Sequence, residues 1–258
     1  HLDPDAILDR YLTPQCFHFL LTAPPRIRAV IFDMDGTLVV SPAAGIKPDP
    51  DFDPVLAEML RAIGFTPPPH PTAALHEAVL RHHAASTEQH PEIDLLAIWE
   101  EVLGSPPPRE LIQSIEERWH PVSPMHGAAD LIENLHASGI RLGLLSNAQF
   151  NTLPSLDRIL PTHRIDPALV VLSYQHRIAK PSPVLFRMIA GRLAMDGIAP
   201  DEILFVGNDP IQDIVPALRT GFRTALFTGH PDSLRSGDCR PDAIINSLSE
   251  IPQLIHKL

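Results

Sequence analysis

The spacing of six short apolar runs constrains this chain more than any other feature. Residues 28–32, 140–145, 168–172, 202–206, 223–227 and 243–245 read as continuous hydrophobic stretches, not alternations. That is the pattern of strands buried on both faces of a parallel sheet. Helix patterns lie between them. Residues 128–138 carry Leu131, Ile132 and Leu135 on one face and stop at Gly139, and 184–195 repeat Leu185, Met188, Ile189 and Leu193 before Gly197. Ser247 and Glu250 have the spacing of a capping box opening the last helix. Alternation of this kind predicts an α/β fold, a doubly wound parallel sheet with right-handed crossovers.

One interval breaks the rhythm. The stretch between the first and second runs is far longer than a crossover needs. It holds helix patterns at 54–63, 72–85, 93–102 and 109–119 and no convincing strand. The expectation is an all-helical insertion over residues 39–124, splitting a core made of 26–38 and 125–258. Residues 1–25, with a helix pattern at 4–12, form an N-terminal extension. Of 29 prolines, 14 fall between residues 41 and 124, including Pro67-Pro68-Pro69 and Pro106-Pro107-Pro108. Prolines placed between helix patterns stiffen turns. The insertion is therefore expected to swing as a rigid body about linkers near 39–42 and 122–125.

Charge narrows the partners. With 20 Lys+Arg against 31 Asp+Glu the net charge is −11, and no run of five basic residues occurs. Neither nucleic acid nor an anionic membrane is an expected partner. Two cysteines without a local motif suit a reducing compartment. Asp3, Asp5 and Asp9 precede the apolar residues 16–21, where a secretory leader carries basic residues. No apolar run approaches the length of a membrane span. A soluble, cytoplasmic protein is the expectation.

Chemistry-bearing residues gather at the strand ends. The first run leads into Asp33-Met34-Asp35-Gly36-Thr37, the second into Ser146-Asn147, and the fourth into Gly207-Asn208-Asp209 with Asp213 beyond. Ala179-Lys180-Pro181 follows the third. Open α/β sheets bind ligands outside the carboxyl ends of their strands. Residues i and i+2 of extended backbone share a side, so Asp33 and Asp35 can face one site. Two such carboxylates repel unless a cation or shared proton relieves them, and Mg²⁺ prefers hard oxygen ligands. Taken singly, each has another reading: Ser146 as a helix cap, Lys180 as a surface lysine, Asp209 and Asp213 as turn acids. Their joint order favours one catalytic crevice.

These four motifs, in this order, resemble the haloacid dehalogenase-like hydrolase superfamily from about residue 26 to the end. The resemblance implies a Rossmann-like core, a helical cap of the family's first type and a Mg²⁺-dependent active site. It implies that Asp33 attacks phosphorus to form an aspartyl-phosphate and that Asp35 serves as general acid, then base. Asp33 and the backbone carbonyl of Asp35 are implied metal ligands, and Ser146 and Lys180 bind the phosphoryl oxygens. Thr37 and Asn147 are implied supporting residues, and Asp213 acts from behind the site. Many relatives have an acid directly after the glycine of the fourth motif, where this chain has Asn208. Either the Asn208 amide oxygen or Asp209 then completes the metal site. A second departure is Val39-Val40-Ser41, where many capped relatives carry an acid before the serine.

Asp35 separates the activities within the family, because a dehalogenase needs no acid to protonate a leaving oxygen. The expected function is a Mg²⁺-dependent phosphatase acting on a small phosphorylated metabolite. A phosphomutase and a binding or regulatory protein with a weakened site are the alternatives. Between residues 39 and 125 five basic residues face 13 acidic ones, which favours small monophosphates over bisphosphates. Lys47, near the expected cap entrance, is the one cap cation to test, with a surface lysine as its other reading. His70, His76, His82, His83 and His90 lack the i, i+4 pairing of a helical zinc site. No Gly-x-Ser-x-Gly elbow and no Gly-x-Gly-x-x-Gly turn is present.

Overall fold

The computed structural model describes residues 27–41, 45–230 and 239–258. The N-terminal extension and its helix pattern at 4–12 lie outside the described residues. The strands are β1 (Ala29–Phe32), β2 (Val39–Val40), β3 (Ser123–Pro124), β4 (Arg141–Ser146), β5 (Val170–Leu172), β6 (Ile203–Gly207), β7 (Arg223–Phe227) and β8 (Ala243–Ile245). The helices are α1 (Asp53–Ala62), α2 (Pro71–Ala85), α3 (Leu95–Leu103), α4 (Arg109–Trp119), α5 (Ala128–Ala137), α6 (Thr152–Leu156), α7 (Ser173–His176), α8 (Pro183–Ala194), α9 (Val215–Thr220) and α10 (Ile251–Leu254).

Six strands form one parallel sheet in the order β5-β4-β1-β6-β7-β8. β1 is central and fully buried, as its sequence Ala-Val-Ile-Phe requires. Its side chains alternate between two cores. Val30 and Phe32 join α5 residues Leu131, Ile132 and Leu135 on one face. Ala29 and Ile31 join α8 residues Leu185, Phe186 and Ile189 on the other. A sheet covered on both sides by helices explains why the strands read as unbroken apolar runs. The chain leaves β1 toward β4 and β5, then returns to lay β6 on the opposite side of β1. That reversal opens a crevice at the carboxyl ends of β1, β4 and β6.

The stretch between β1 and β4 carries α1 to α5, and α1 to α4 form the inserted helical region. This region has its own apolar cluster, built around Leu60, Leu75, Ile98, Trp99, Ile112 and Ile115. The proline triplets occupy the α1–α2 and α3–α4 connections, and Pro71 sits in the first turn of α2. Buried Asp53 ties α1 to α2 by accepting from the Thr72 amide at 2.9 Å and its hydroxyl at 2.7 Å. Two details differ from the sequence reading. The insertion was expected to lack strands, yet β2 and β3 pair antiparallel within its two linkers. The third run begins as a 3₁₀ turn over Pro167–Leu169, with the Asp166 side chain accepting from the Ala168 amide, so the strand covers only Val170–Leu172. The capping box does form: Ser247 and Glu250 close the turn that leads into α10.

Candidate active site

β1 delivers Asp33 to the crevice, and the ladder continues one residue further, with the Asp33 amide donating to the Val206 carbonyl at 2.9 Å. The chain then turns on Met34, whose carbonyl accepts from the amides of Thr37, Leu38 and Val39. Gly36 makes this turn possible at φ +75°, a conformation other residues rarely adopt. A side chain there would also collide with the Asn208 amide. The two acids of this turn have different surroundings. Asp33 is buried at 6% exposure, whereas Asp35 is exposed and lines a cavity beneath the helical insertion.

Lys180 lies at the centre of the buried charges. Its Nζ is 2.6 Å from Asp33 Oδ1 and 2.6 Å from Asp213 Oδ1. Burial works against the Lys180 ammonium, but the charges of Asp213 and Asp33 outweigh it and hold the group above the usual lysine range. Burial, followed by the charge of Asp33, pushes the Asp213 carboxyl well above its ordinary value. The other Asp213 oxygen accepts from the Asp209 amide at 3.0 Å. Gly207 leaves room for this carboxylate, because a Cβ there would stand 2.5 Å from Asp213 Oδ2.

Asn147 fixes the lysine from its backbone. Its Oδ1 accepts from the Lys180 amide at 2.7 Å, while its Nδ2 donates to the Lys180 carbonyl at 3.3 Å and to Gln212 Oε1 at 3.0 Å. Ser146, the last residue of β4, is 3% exposed and lines the cavity beside Asp35 and Asn147. Thr37 is fully buried and donates to Asn208 Oδ1 at 3.5 Å. Asp209 instead caps the π-helical turn Pro210–Ile214, its Oδ1 accepting from the amides of Ile211 and Gln212. The strand-end residues singled out in the sequence therefore occupy one crevice, Asp35, Ser146 and Asn147 on the cavity and Asp33, Lys180 and Asp213 buried together.

The cavity measures about 480 Å³ and joins the core to the insertion. Sequence reasoning passed over other residues of its lining, among them Glu92, Glu116, Glu117, His120 and Asn151. Burial raises the Glu92 carboxyl above its usual range, against the pull of its hydrogen bond from the Ser173 hydroxyl. Glu117 is engaged by Gln113 and Arg158. Lys47 is exposed and stands off the cavity. Of the insertion's histidines, His76 meets the Ile46 carbonyl at 2.8 Å and His82 meets Glu101 at 2.8 Å. Among the described residues no group of three or more His, Cys, Asp or Glu is arranged to hold a metal ion. No helix among them is long and apolar enough to cross a membrane.

The sheet, the helical insertion and this crevice define a hydrolase of one family. Residues 27–221 match the haloacid dehalogenase-like hydrolase family, and the chain belongs to it. Among its relatives, a phosphoserine phosphatase of Thermus thermophilus is 30% identical over 183 residues, covering 62% of this chain and 68% of that protein. A haloacid dehalogenase-like hydrolase domain-containing protein of Arabidopsis thaliana is 28% identical over 262 residues, covering 95% and 91%. In solved structures the fold is shared with a 2-haloacid dehalogenase from Pseudomonas syringae pv. Tomato, at TM-score 0.62 and 22% identity, covering 90% of this chain and 99% of that one. It is shared also with a HAD phosphatase from Thermococcus onnurineus, at TM-score 0.59 and 20% identity, covering 88% and 97%.

Proposed function

We propose that the chain is a Mg²⁺-dependent phosphatase that hydrolyses a small phosphate monoester through an aspartyl-phosphate on Asp33. The observation that carries this reading is the position of Asp35. It is exposed on the same cavity as Ser146 and Asn147, where a leaving oxygen can reach it. Dehalogenation needs no such acid. The similarity to a phosphoserine phosphatase supports the same choice.

The residues then divide the work. An Asp33 carboxylate oxygen attacks phosphorus while the ester P–O bond breaks in line, and Asp35 gives its proton to the departing alkoxide. Water next attacks the phosphorus of the acyl phosphate, Asp35 takes up its proton, and phosphate leaves with Asp33 restored. Two of the three Lys180 protons meet Asp33 and Asp213, so the third and the Ser146 hydroxyl are available to the phosphoryl oxygens. Asn147 sets the height of Lys180 by gripping its backbone at both the amide and the carbonyl.

The donor set suits Mg²⁺ by its chemistry. Asp33, the Asp35 carbonyl and the Asn208 amide oxygen are hard oxygen ligands. Asn208 packs against Gly36 and is held by Thr37, whereas an oxygen of Asp209 is committed to its own turn. We take Asn208 as the ligand over Asp209 because it packs against Gly36, beside Asp35. When bound there, Mg²⁺ offsets the negative charge that nucleophile and phosphate bring together.

Phosphate release from a panel of monoesters, with p-nitrophenyl phosphate included, tests the reading. Release is expected with Mg²⁺, is lost with a chelator and returns when Mg²⁺ is restored, while 2-chloropropionate yields no chloride. No Mg²⁺-dependent release from any ester, or chloride release instead, overturns it. Asp35→Asn provides a sharper check. On alkyl phosphates its turnover should fall about 10²–10⁴-fold. With p-nitrophenyl phosphate, whose leaving group needs no proton, the first equivalent of nitrophenolate should appear as a burst before slow turnover. One slow phase on both substrates would remove Asp35 from acid–base work.

A further inference from the structure

The lining of the cavity that holds Asp35 carries a buried acceptor that no described residue answers. Glu116 lies on α4, on the face that also carries Ile112, Ile115 and Trp119, and is only 5% exposed. Its Oε2 stands 2.9 Å from His120 Nδ1, and the His120 ring is stacked on Trp119 at a centroid distance of 4.5 Å. Among the described residues its Oε1 has no hydrogen-bond partner. Across the core-to-insertion boundary, Asn151 Oδ1 is likewise buried and without a partner among the described residues, and both residues line the cavity.

A buried acceptor without a donor is costly, most of all on a carboxylate. The missing partner must donate hydrogen bonds. Two acceptors lining one cavity call for a group with more than one N–H, and a carboxylate favours one that is positively charged. The electrostatics of the cavity agree. Asp35, Glu92 and Glu117 also line it, and among the described residues no lysine or arginine does. A second phosphate or a carboxylate on the substrate would meet only the imidazoles of His83 and His120 there, the latter already turned to Glu116.

We infer that Glu116, with Asn151, captures an ammonium group on the organic part of the substrate, so that the preferred substrates are amine-bearing phosphate monoesters. This rests on the phosphatase reading above and assigns the substrate's far end. The phosphoryl group lies toward Ser146 and Asp35 and the amine toward Glu116, in a cavity of about 480 Å³ that suits a small ester.

The test compares O-phosphoethanolamine with n-propyl phosphate, which replaces the ammonium by a methyl group. With Mg²⁺ present, wild-type kcat/KM should favour the amine by at least about tenfold, the scale of a hydrogen bond to a charged group. Glu116→Gln, shown to be folded by a cooperative thermal transition, should bring the ratio to within about twofold of one, the residual preference left to a neutral acceptor. Asn151→Leu, which keeps the carboxylate, should lower the ratio by a smaller factor. Equal wild-type values for the two esters, or a preference that survives Glu116→Gln, overturns the assignment and leaves the phosphatase reading standing. That result would mean Glu116 Oε1 holds only solvent. No Mg²⁺-dependent release from either ester or from p-nitrophenyl phosphate overturns both.

Discussion

Asp33→Asn should abolish phosphate release, lowering turnover by about 10⁴-fold or more, the scale seen when a covalent nucleophile is removed. The protein should nevertheless fold. Lys180 stands between Asp33 and Asp213, and the Asp33 charge is one of the causes that raise the Asp213 carboxyl. An amide at position 33 removes that repulsion. It still offers an oxygen to the lysine, which keeps Asp213 as its ionic partner at 2.6 Å. Activity and stability should therefore separate, as expected where a site stores unfavourable charge for function. The measurement is phosphate release beside thermal unfolding. Residual turnover within about tenfold of wild type would deny Asp33 the role of nucleophile.

The sheet was legible because an apolar run reports burial, and burial on both faces is what a central parallel strand requires. The same logic explains where the reading overran. Leu169 is 1% exposed, so it extended the third run, but Pro167 and the Asp166 cap place it in a 3₁₀ turn. Burial marks the core without specifying the backbone that reaches it. The β2–β3 pair left no local trace, since two residues joined across the whole insertion carry no periodicity.

Within the site, the strand-end residues could be read because topology brings strand ends together whatever the loops do. The partners set by tertiary packing could not. Gln212 meets Asn147 only because the turn after β6 folds back toward β4. Glu116 had a signal that went unused: it falls four residues after Ile112 and three before Trp119, on the buried face of an amphipathic helix. A carboxylate there departs from the polar-out pattern, and such departures concentrate at functional sites.

Lys180→Met tests how the buried charges are held. Lysine is only 5% exposed, Asp33 6% and Asp213 0%. Removing the ammonium leaves two neighbouring carboxylates without a countercharge, a loss expected to destabilise the fold by about 3–5 kcal/mol. For a chain of this size that corresponds to a melting temperature lower by roughly 6–20 °C. Adding Asp213→Asn should restore part of that stability, because the pair is then removed as a unit and one buried charge remains in place of two. It should restore no activity, since the phosphoryl group still lacks the cation opposite its oxygens. Under the proposed function Lys180 would have two separable duties, one toward the fold through Asp213 and one toward the substrate. Thermal unfolding and phosphate release for both single variants and the double variant resolve them. An unchanged melting temperature in Lys180→Met would show that the carboxylates find relief elsewhere, and the lysine would then serve the substrate alone.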